Sequence, residues 1–295
     1  MGSSASARFN VWERVQEIAR GVQGTFGLSY LRLGAGERYS FAGDELFYAC
    51  SVIKVPLMCE IFRLAEKGRL DLARKLTVNR DDQVGGSGVL QVLTPGAELS
   101  VYDLMTLMIV VSDNTATNML LDLIGLDGVT EFMASLGLPN IRLHHKLMVV
   151  EAGREQVNVM SPNDTTELMA RIARNEIVSM RACEAMIGIL KRQQYHDHLT
   201  KYLPLEPEAG RPTGSLPSLE VAHKNGWIKG SRLCTGIFYL PGKEYVLSVF
   251  SKDVADDKAA DEAIARIGQV VYEWVSGAGS PPGPRAPAGG PAGAT

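Results

Sequence analysis

The sequence predicts an α/β protein of the α+β kind: an antiparallel sheet built from both termini and flanked by terminal helices, with an all-helical lobe inserted in the middle. Three observations carry this. Alternating β-rich runs occur only near the two ends, at 25–33 and 37–41 and again at 219–223, 233–240 and 245–251. Between 51 and about 191 the apolar residues recur at helical spacing instead. Amphipathic stretches at 8–22 and 256–275 supply a first and a last helix to cover the sheet.

Taken in order, Trp12-Glu13-Arg14-Val15-Gln16-Glu17-Ile18 has one apolar face and reads as helix. The runs 25–33 and 37–41 flank Gly34-Ala35-Gly36, which makes them a hairpin. Helices follow at 51–68, 101–111, 115–125, 127–136, 163–175 and 179–192, joined by loops rich in Gly, Asp and Asn. The expected organisation is a single domain over 1–276, with a sheet lobe at about 8–50 and 200–276 and a helical lobe at about 51–199. Residues 277–295 are Gly, Pro and Ala with one charge, Arg285, a composition that cannot bury a core and is read as a disordered tail. A cleft is expected where the lobes meet, and Ser51 opens the helical lobe at that seam.

Composition excludes several function classes. With 45% hydrophobic and 21% charged residues and a net charge of −3, the 295-residue chain is expected to be an ordinary globular protein. Its Lys and Arg are dispersed, so no nucleic-acid partner is expected. The apolar run 104–111 is too short to span a bilayer, and no membrane partner is expected. Met1 to Arg20 lacks the apolar core of a signal peptide, which points to the cytoplasm unless the start is truncated. Cys50, Cys59, Cys183 and Cys234 show no C-x-x-C pairing and read as free thiols, with Cys50 a small packed residue rather than a second nucleophile. No metal or organic cofactor is implied, since the His residues lack ligand spacing. Composition says nothing of the oligomeric state.

Three short motifs carry chemistry. Ser51-Val52-Ile53-Lys54 places a hydroxyl and an amine one turn apart at a helix start, where the N–H of Ser51 can face an oxyanion. Lys54 stands among Val52, Ile53, Val55, Leu57 and Met58, and burial of an amine lowers its pKa toward that of a useful base. Ser112-Asp113-Asn114 lies between two apolar helical runs. It is either a helix cap or a polar turn aiming Ser112 and Asn114 into the cleft. His223-Lys224-Asn225-Gly226 ends a strand and offers a cation beside a glycine that permits close backbone approach. Arg232 opens the next strand and could hold a carboxylate as a fork.

Each motif alone is common. In this order, S-x-x-K, S-D-N and K-x-G, they resemble the penicillin-recognising serine enzymes, most closely the class A β-lactamase-like serine hydrolases. The resemblance also covers Gly86-Ser87-Gly88-Val89-Leu90-Gln91 and Val110 to Asn118, and extends over about residues 22–275. It implies a β-lactamase/transpeptidase-like fold and a small carboxylate-bearing amide or ester substrate such as a β-lactam. By the same resemblance Ser51 is the acylated nucleophile, Lys54 its base, Ser112 a proton relay and Asn114 a substrate-amide contact. Lys224, Asn225, Gly226 and Arg232 are implied in substrate binding, and the N–H groups of Ser51 and Trp227 in an oxyanion hole.

The chain departs from the family pattern twice. Asn225 replaces the hydroxyl residue of K-T-G or K-S-G, which alters one expected carboxylate contact. The stretch from Lys146 to Thr166 shows no Glu followed by Leu-Asn to activate a deacylating water; Glu151 is the candidate substitute, and a solvated loop carboxylate is the alternative. Acylation and deacylation therefore separate, and slow β-lactam turnover is the expectation. The competing readings are an intracellular esterase, amidase or acyltransferase, a DD-peptidase, and a binding protein that kept the fold without the chemistry.

Overall fold

The computed structural model describes residues 10–148, 157–205 and 218–277. Among these, the main sheet has five antiparallel strands: β1 (Thr25–Arg32), β2 (Arg38–Phe41), β7 (Glu220–Ile228), β8 (Ser231–Tyr239) and β9 (Tyr245–Lys252), in the spatial order β2-β1-β9-β8-β7. The N-terminal hairpin thus joins the C-terminal strands through the β1–β9 pair, in which Leu28 lies opposite Val249. Short pairs β3 (Phe47–Tyr48) with β6 (Val159–Met160), and β4 (Lys75–Thr77) with β5 (Glu98–Ser100), lie outside the main sheet. Runs this short carry no usable alternation, so the sequence does not announce them.

Alternation sorts the sheet residues between two cores. Leu28, Tyr30, Val221, Phe238, Leu247 and Val249 pack with the terminal helices α1 (Val11–Arg20) and α8 (Asp257–Ser276). Leu31, Ala222, Leu233, Ile237, Val246 and Phe250 face the helical lobe. Both faces of the central strands are therefore buried, and β8 is buried at every residue but Tyr239, its polar Ser231, Arg232 and Thr235 included.

The helical lobe contains α2 (Lys54–Glu66), α3 (Val101–Val110), α4 (Asn114–Ile124), α5 (Asp127–Ser135), α6 (Pro162–Ala173) and α7 (Met180–Lys191). Their starts follow capping chemistry: Ser100 and Asp103 form a capping box on α3, Asp113 caps α4, Ser161 precedes Pro162 on α6, and Ser179 caps α7. No helix among the described residues is long and apolar enough to cross a membrane. The glycine-rich segment 278–295 lies outside the described residues.

Two differences from the sequence expectation matter for the site. The α-helix begins at Lys54, and Cys50–Ile53 form a 3₁₀ turn that carries Ser51. Strand β7 does not end at His223 but runs to Ile228, so Lys224, Asn225 and Gly226 lie inside it. The reason is its pairing: each residue from Glu220 to Ile228 has a partner on β8, which outweighs the low strand preference of Asn and Gly.

Close packing of α8 leaves a direct test. A Cβ at Gly268 would fall 2.2 Å from the carbonyl oxygen of Leu199. The roughly 1 kcal/mol that Ala gains over Gly in a helix is outweighed by overpacking against a backbone carbonyl. We expect Gly268→Ala to destabilise the protein by about 1–3 kcal/mol, read as a lowered midpoint in urea or heat; an unchanged or raised midpoint would contradict this packing.

Candidate active site

The site is assembled at the seam from three backbone segments. The first is the 3₁₀ turn carrying Ser51, entered through Cys50 at φ 44°, a left-handed backbone that costs energy for a side-chain-bearing residue. In a 3₁₀ turn residues i and i+3 eclipse, which stacks Lys54 over Ser51. Ser51 is half-buried, while Lys54 is fully enclosed.

The second segment is the α3–α4 turn. Ser112 also adopts a left-handed φ, 55°. The Lys54 ammonium donates to the Ser112 carbonyl (2.6 Å), Ser112 Oγ (3.1 Å) and Asn114 Oδ1 (2.8 Å). All three bonds go to this turn rather than to Ser51, the partner that the i, i+3 spacing suggests. A buried ammonium needs three acceptors, and a carbonyl and an amide oxygen are the better ones.

The three residues of Ser112-Asp113-Asn114 divide the work of capping and of holding Lys54. Asp113 is the cap: its carboxylate accepts from Ala116 N (2.9 Å) and also from Val89 N (2.7 Å) and Leu90 N (2.8 Å). It thereby fastens the 86–91 loop over the site, while Ser112 and Asn114 turn toward Lys54.

The third segment is β7. Alternation points Lys224 at the helical lobe, where its ammonium donates to Ser112 Oγ (3.1 Å) and to the Asn225 carbonyl (2.8 Å). Gly226 lets the strand press against the Ser51 turn, since a Cβ there would lie 2.5 Å from the Ser51 nitrogen. Ser112 Oγ is therefore the joint between two buried lysines. As a hydroxyl it accepts from both and keeps its own O–H to donate elsewhere.

Electrostatics follow from burial. Desolvation, then the charge of Lys224, hold the Lys54 amine well below the usual lysine range, against a smaller opposing effect of Asp113. Burial lowers Lys224 to about 7. The Cys50 thiol is pushed up to about 12 by burial, which leaves it protonated and a poor nucleophile beside Ser51. Among the described residues no group of three or more His, Cys, Asp or Glu side chains converges on a metal position.

Two expected substrate contacts are placed elsewhere. Asn225 and Arg232 project to the opposite face of the sheet, toward α8. Arg232 is not an open fork: it is paired with Asp261 and Asp257 and donates to the carbonyls of Ile228 and Ser231. The parity of the strands decides this, since Asn225 neighbours the inward Lys224 and Arg232 lies opposite Trp227. Trp227 is exposed at the end of the cleft strand. Glu151 lies outside the described residues.

Sequence reasoning missed the groups that brace the site. Asn118 donates to the Leu147 carbonyl (2.8 Å) and accepts from Leu147 N (2.9 Å). Asn158 Oδ1 accepts from His144 N (2.7 Å) and His145 N (3.1 Å). Gln193 donates to Ile109 O and accepts from the 194 and 195 amides, tying that loop to the end of α3. An Asn one turn beyond Asn114 on an apolar helix was the available signal for Asn118; nothing local marks the other two.

Comparison with known proteins identifies the family and the fold. The model of the family described as "Beta-lactamase enzyme family" matches residues 10–275. The chain belongs to that family. β-Lactamase BRO-1 of Moraxella catarrhalis is 26% identical over 250 residues, covering 81% of this chain and 76% of the relative. The crystal structure of a β-lactamase from Sphaerobacter thermophilus superposes with a TM-score of 0.81 at 31% identity, over 90% of this chain and 97% of that one. A mutant of PBP-A, solved as an acyl-enzyme complex with penicillin G, gives 0.78 at 28% identity over 91% and 97%. In this β-lactamase-family chain Lys54, Ser112 and Lys224 meet inside the protein.

The Lys224 charge helps to keep Lys54 neutral, which fixes a sign. A base at Lys54, the role the motif resemblance implies, would act only without its proton, so acylation of Ser51 would be retained above the Lys54 pKa and lost as pH falls through it. Lys224 is itself charged below about 7. Lys224→Met removes that charge and raises the Lys54 pKa. The acid limb of Ser51 acylation should therefore move to higher pH; a limb that stays or moves to lower pH would contradict the coupling.

Proposed function

We propose that the protein is a serine hydrolase that forms an acyl-enzyme at Ser51 and opens β-lactam rings, with slow release of the acyl group. The observation that supports this best is the buried chain Lys54–Ser112–Lys224 beside Ser51. Neutral Lys54 takes the Ser51 proton as Oγ bonds to the substrate carbonyl carbon. The oxyanion that forms accepts from the N–H groups of Ser51 and Trp227. As the C–N bond breaks, the proton passes from Lys54 through Ser112 to the leaving nitrogen, and Lys54 is again ready to take one. Asn114 holds Lys54 through Oδ1 and offers its amide to the substrate.

Family membership, the similarity to named β-lactamases and the likeness to a penicillin acyl-enzyme structure support the substrate class. Slow release rests on the sequence between Lys146 and Thr166, which lacks the usual activating pair; Glu151 is the remaining candidate base. One observation favours a second reading, an esterase or amidase for another substrate: the Arg232 guanidinium is already taken up by two carboxylates.

Intact-protein mass after mixing with benzylpenicillin tests the first reading. Wild type should gain one penicilloyl group that persists for minutes, and Ser51→Ala none. An adduct of equal yield on Ser51→Ala, or neither adduct nor hydrolysis with wild type, would refute it.

A further inference from the structure

The hydroxyl that joins the two lysines stands on a backbone that Ser does not favour. Ser112 follows the last turn of α3 at φ 55°, the left-handed position at which a helix commonly ends on Gly. Holding a Ser there costs energy, and relaxation of the turn would swing both its carbonyl and its Oγ away from Lys54. The end of a helix also leaves carbonyls without intrahelical partners, so the groups that donate to them fix the turn.

Four consecutive carbonyls find donors here. Gln193 Nε2 donates to Ile109 O (2.8 Å), Gln194 N to Val110 O (3.1 Å) and Tyr195 Oη to Val111 O (3.3 Å). The fourth, Ser112 O, accepts from the Lys54 ammonium (2.6 Å). The first three donors belong to three successive residues just beyond α7. Gln193 makes them a unit: it is 2% exposed, and its Oε1 accepts from the amides of Gln194 (2.9 Å) and Tyr195 (3.1 Å), which sets the path of the segment. The same segment reaches β7, since the Tyr195 ring meets Trp227 edge-on at 5.5 Å and the Tyr195 carbonyl accepts from Asn225 Nδ2 (3.4 Å).

Building on the acyl-enzyme reading above, we propose that Gln193 and Tyr195 are positioning residues for Ser112, clamping the end of α3 so that Ser112 Oγ stays between Lys54 and Lys224. Both act through Ser112 rather than on the substrate. They keep the turn left-handed, with Oγ 3.1 Å from each lysine nitrogen, the placement through which a proton passes from Lys54 to the leaving nitrogen.

The test is a double-mutant cycle. Gln193→Met substitutes an apolar chain of similar length and removes three hydrogen bonds. The rate constant for Ser51 acylation by benzylpenicillin, followed by intact mass from seconds to hours over a range of concentrations, should fall about 10- to 100-fold, the cost of a small misplacement of a catalytic group. The half-saturating concentration should stay within about twofold, since binding is not what is lost. In a Ser112→Ala protein the same substitution should cost less than about threefold, because residues that act as one unit do not add. An unchanged rate in folded Gln193→Met, or an equal loss with and without the Ser112 hydroxyl, overturns the proposal. If Gln193→Met fails to fold, Tyr195→Phe, which removes the single bond to Val111 O, decides. It should slow acylation by about two- to fivefold when Ser112 is present and not in Ser112→Ala; an equal loss in both, or none in either, overturns the proposal. No adduct on wild-type Ser51 refutes the acyl-enzyme reading and this inference together, whereas a wild-type adduct with additive losses refutes this inference alone.

Discussion

Two lysine side chains, Lys54 and Lys224, end on one hydroxyl, Ser112 Oγ, inside the protein and with no exposed surface of their own. Each nitrogen lies 3.1 Å from that oxygen, so the amines are within about 6 Å of one another, close enough for one charge to depress the other. Among the described residues neither has a direct carboxylate partner at the joint. Their cost of burial is offset by hydrogen bonds to neutral acceptors, three for Lys54 and two for Lys224. Burial and the neighbouring charge, working against those bonds, favour loss of a proton from Lys54, and a neutral amine is what a serine nucleophile needs.

Much of the fold serves that joint. The three segments that meet there come from α2, the α3–α4 turn and β7, which are far apart in sequence. Gly226 brings the strand against the Ser51 amide, and Asp113 fixes the turn by accepting three backbone N–H groups. The positive φ values at Cys50 and Ser112 place strain on both sides of the joint, as expected where surrounding packing dictates the backbone. The terminal helices hold the sheet from behind, and α8 also supplies Asp257 and Asp261, which pair with Arg232 there.

Most of the architecture was legible in the sequence because it rests on periodicity. The helices from Val101 to Lys191 and the strands at both ends follow from spacing and caps, and Lys54, Ser112, Asn114 and Lys224, taken from the three motifs, lie in one hydrogen-bonded cluster. What was not legible depends on strand parity and long-range pairing. Nothing in His223-Lys224-Asn225-Gly226 says that Lys224 and Asn225 face opposite ways in an extended strand, because the sequence reading ended that strand at His223. Nor does Gly230-Ser231-Arg232 announce that Asp257 and Asp261, a helix away, will take up the guanidinium. The bond from Lys54 to the α3–α4 turn instead of to Ser51 is likewise a tertiary fact, set by where a buried ammonium finds acceptors.

The central claim is that burial and a neighbouring ammonium keep Lys54 ready to accept a proton. Heteronuclear NMR of the lysine Cε–Hε resonances, assigned by Lys54→Met and followed against pH in the unacylated protein, measures this directly. The account expects the Lys54 signal to titrate well below the ordinary lysine range. A Lys54 signal that titrates with the surface lysines would contradict it.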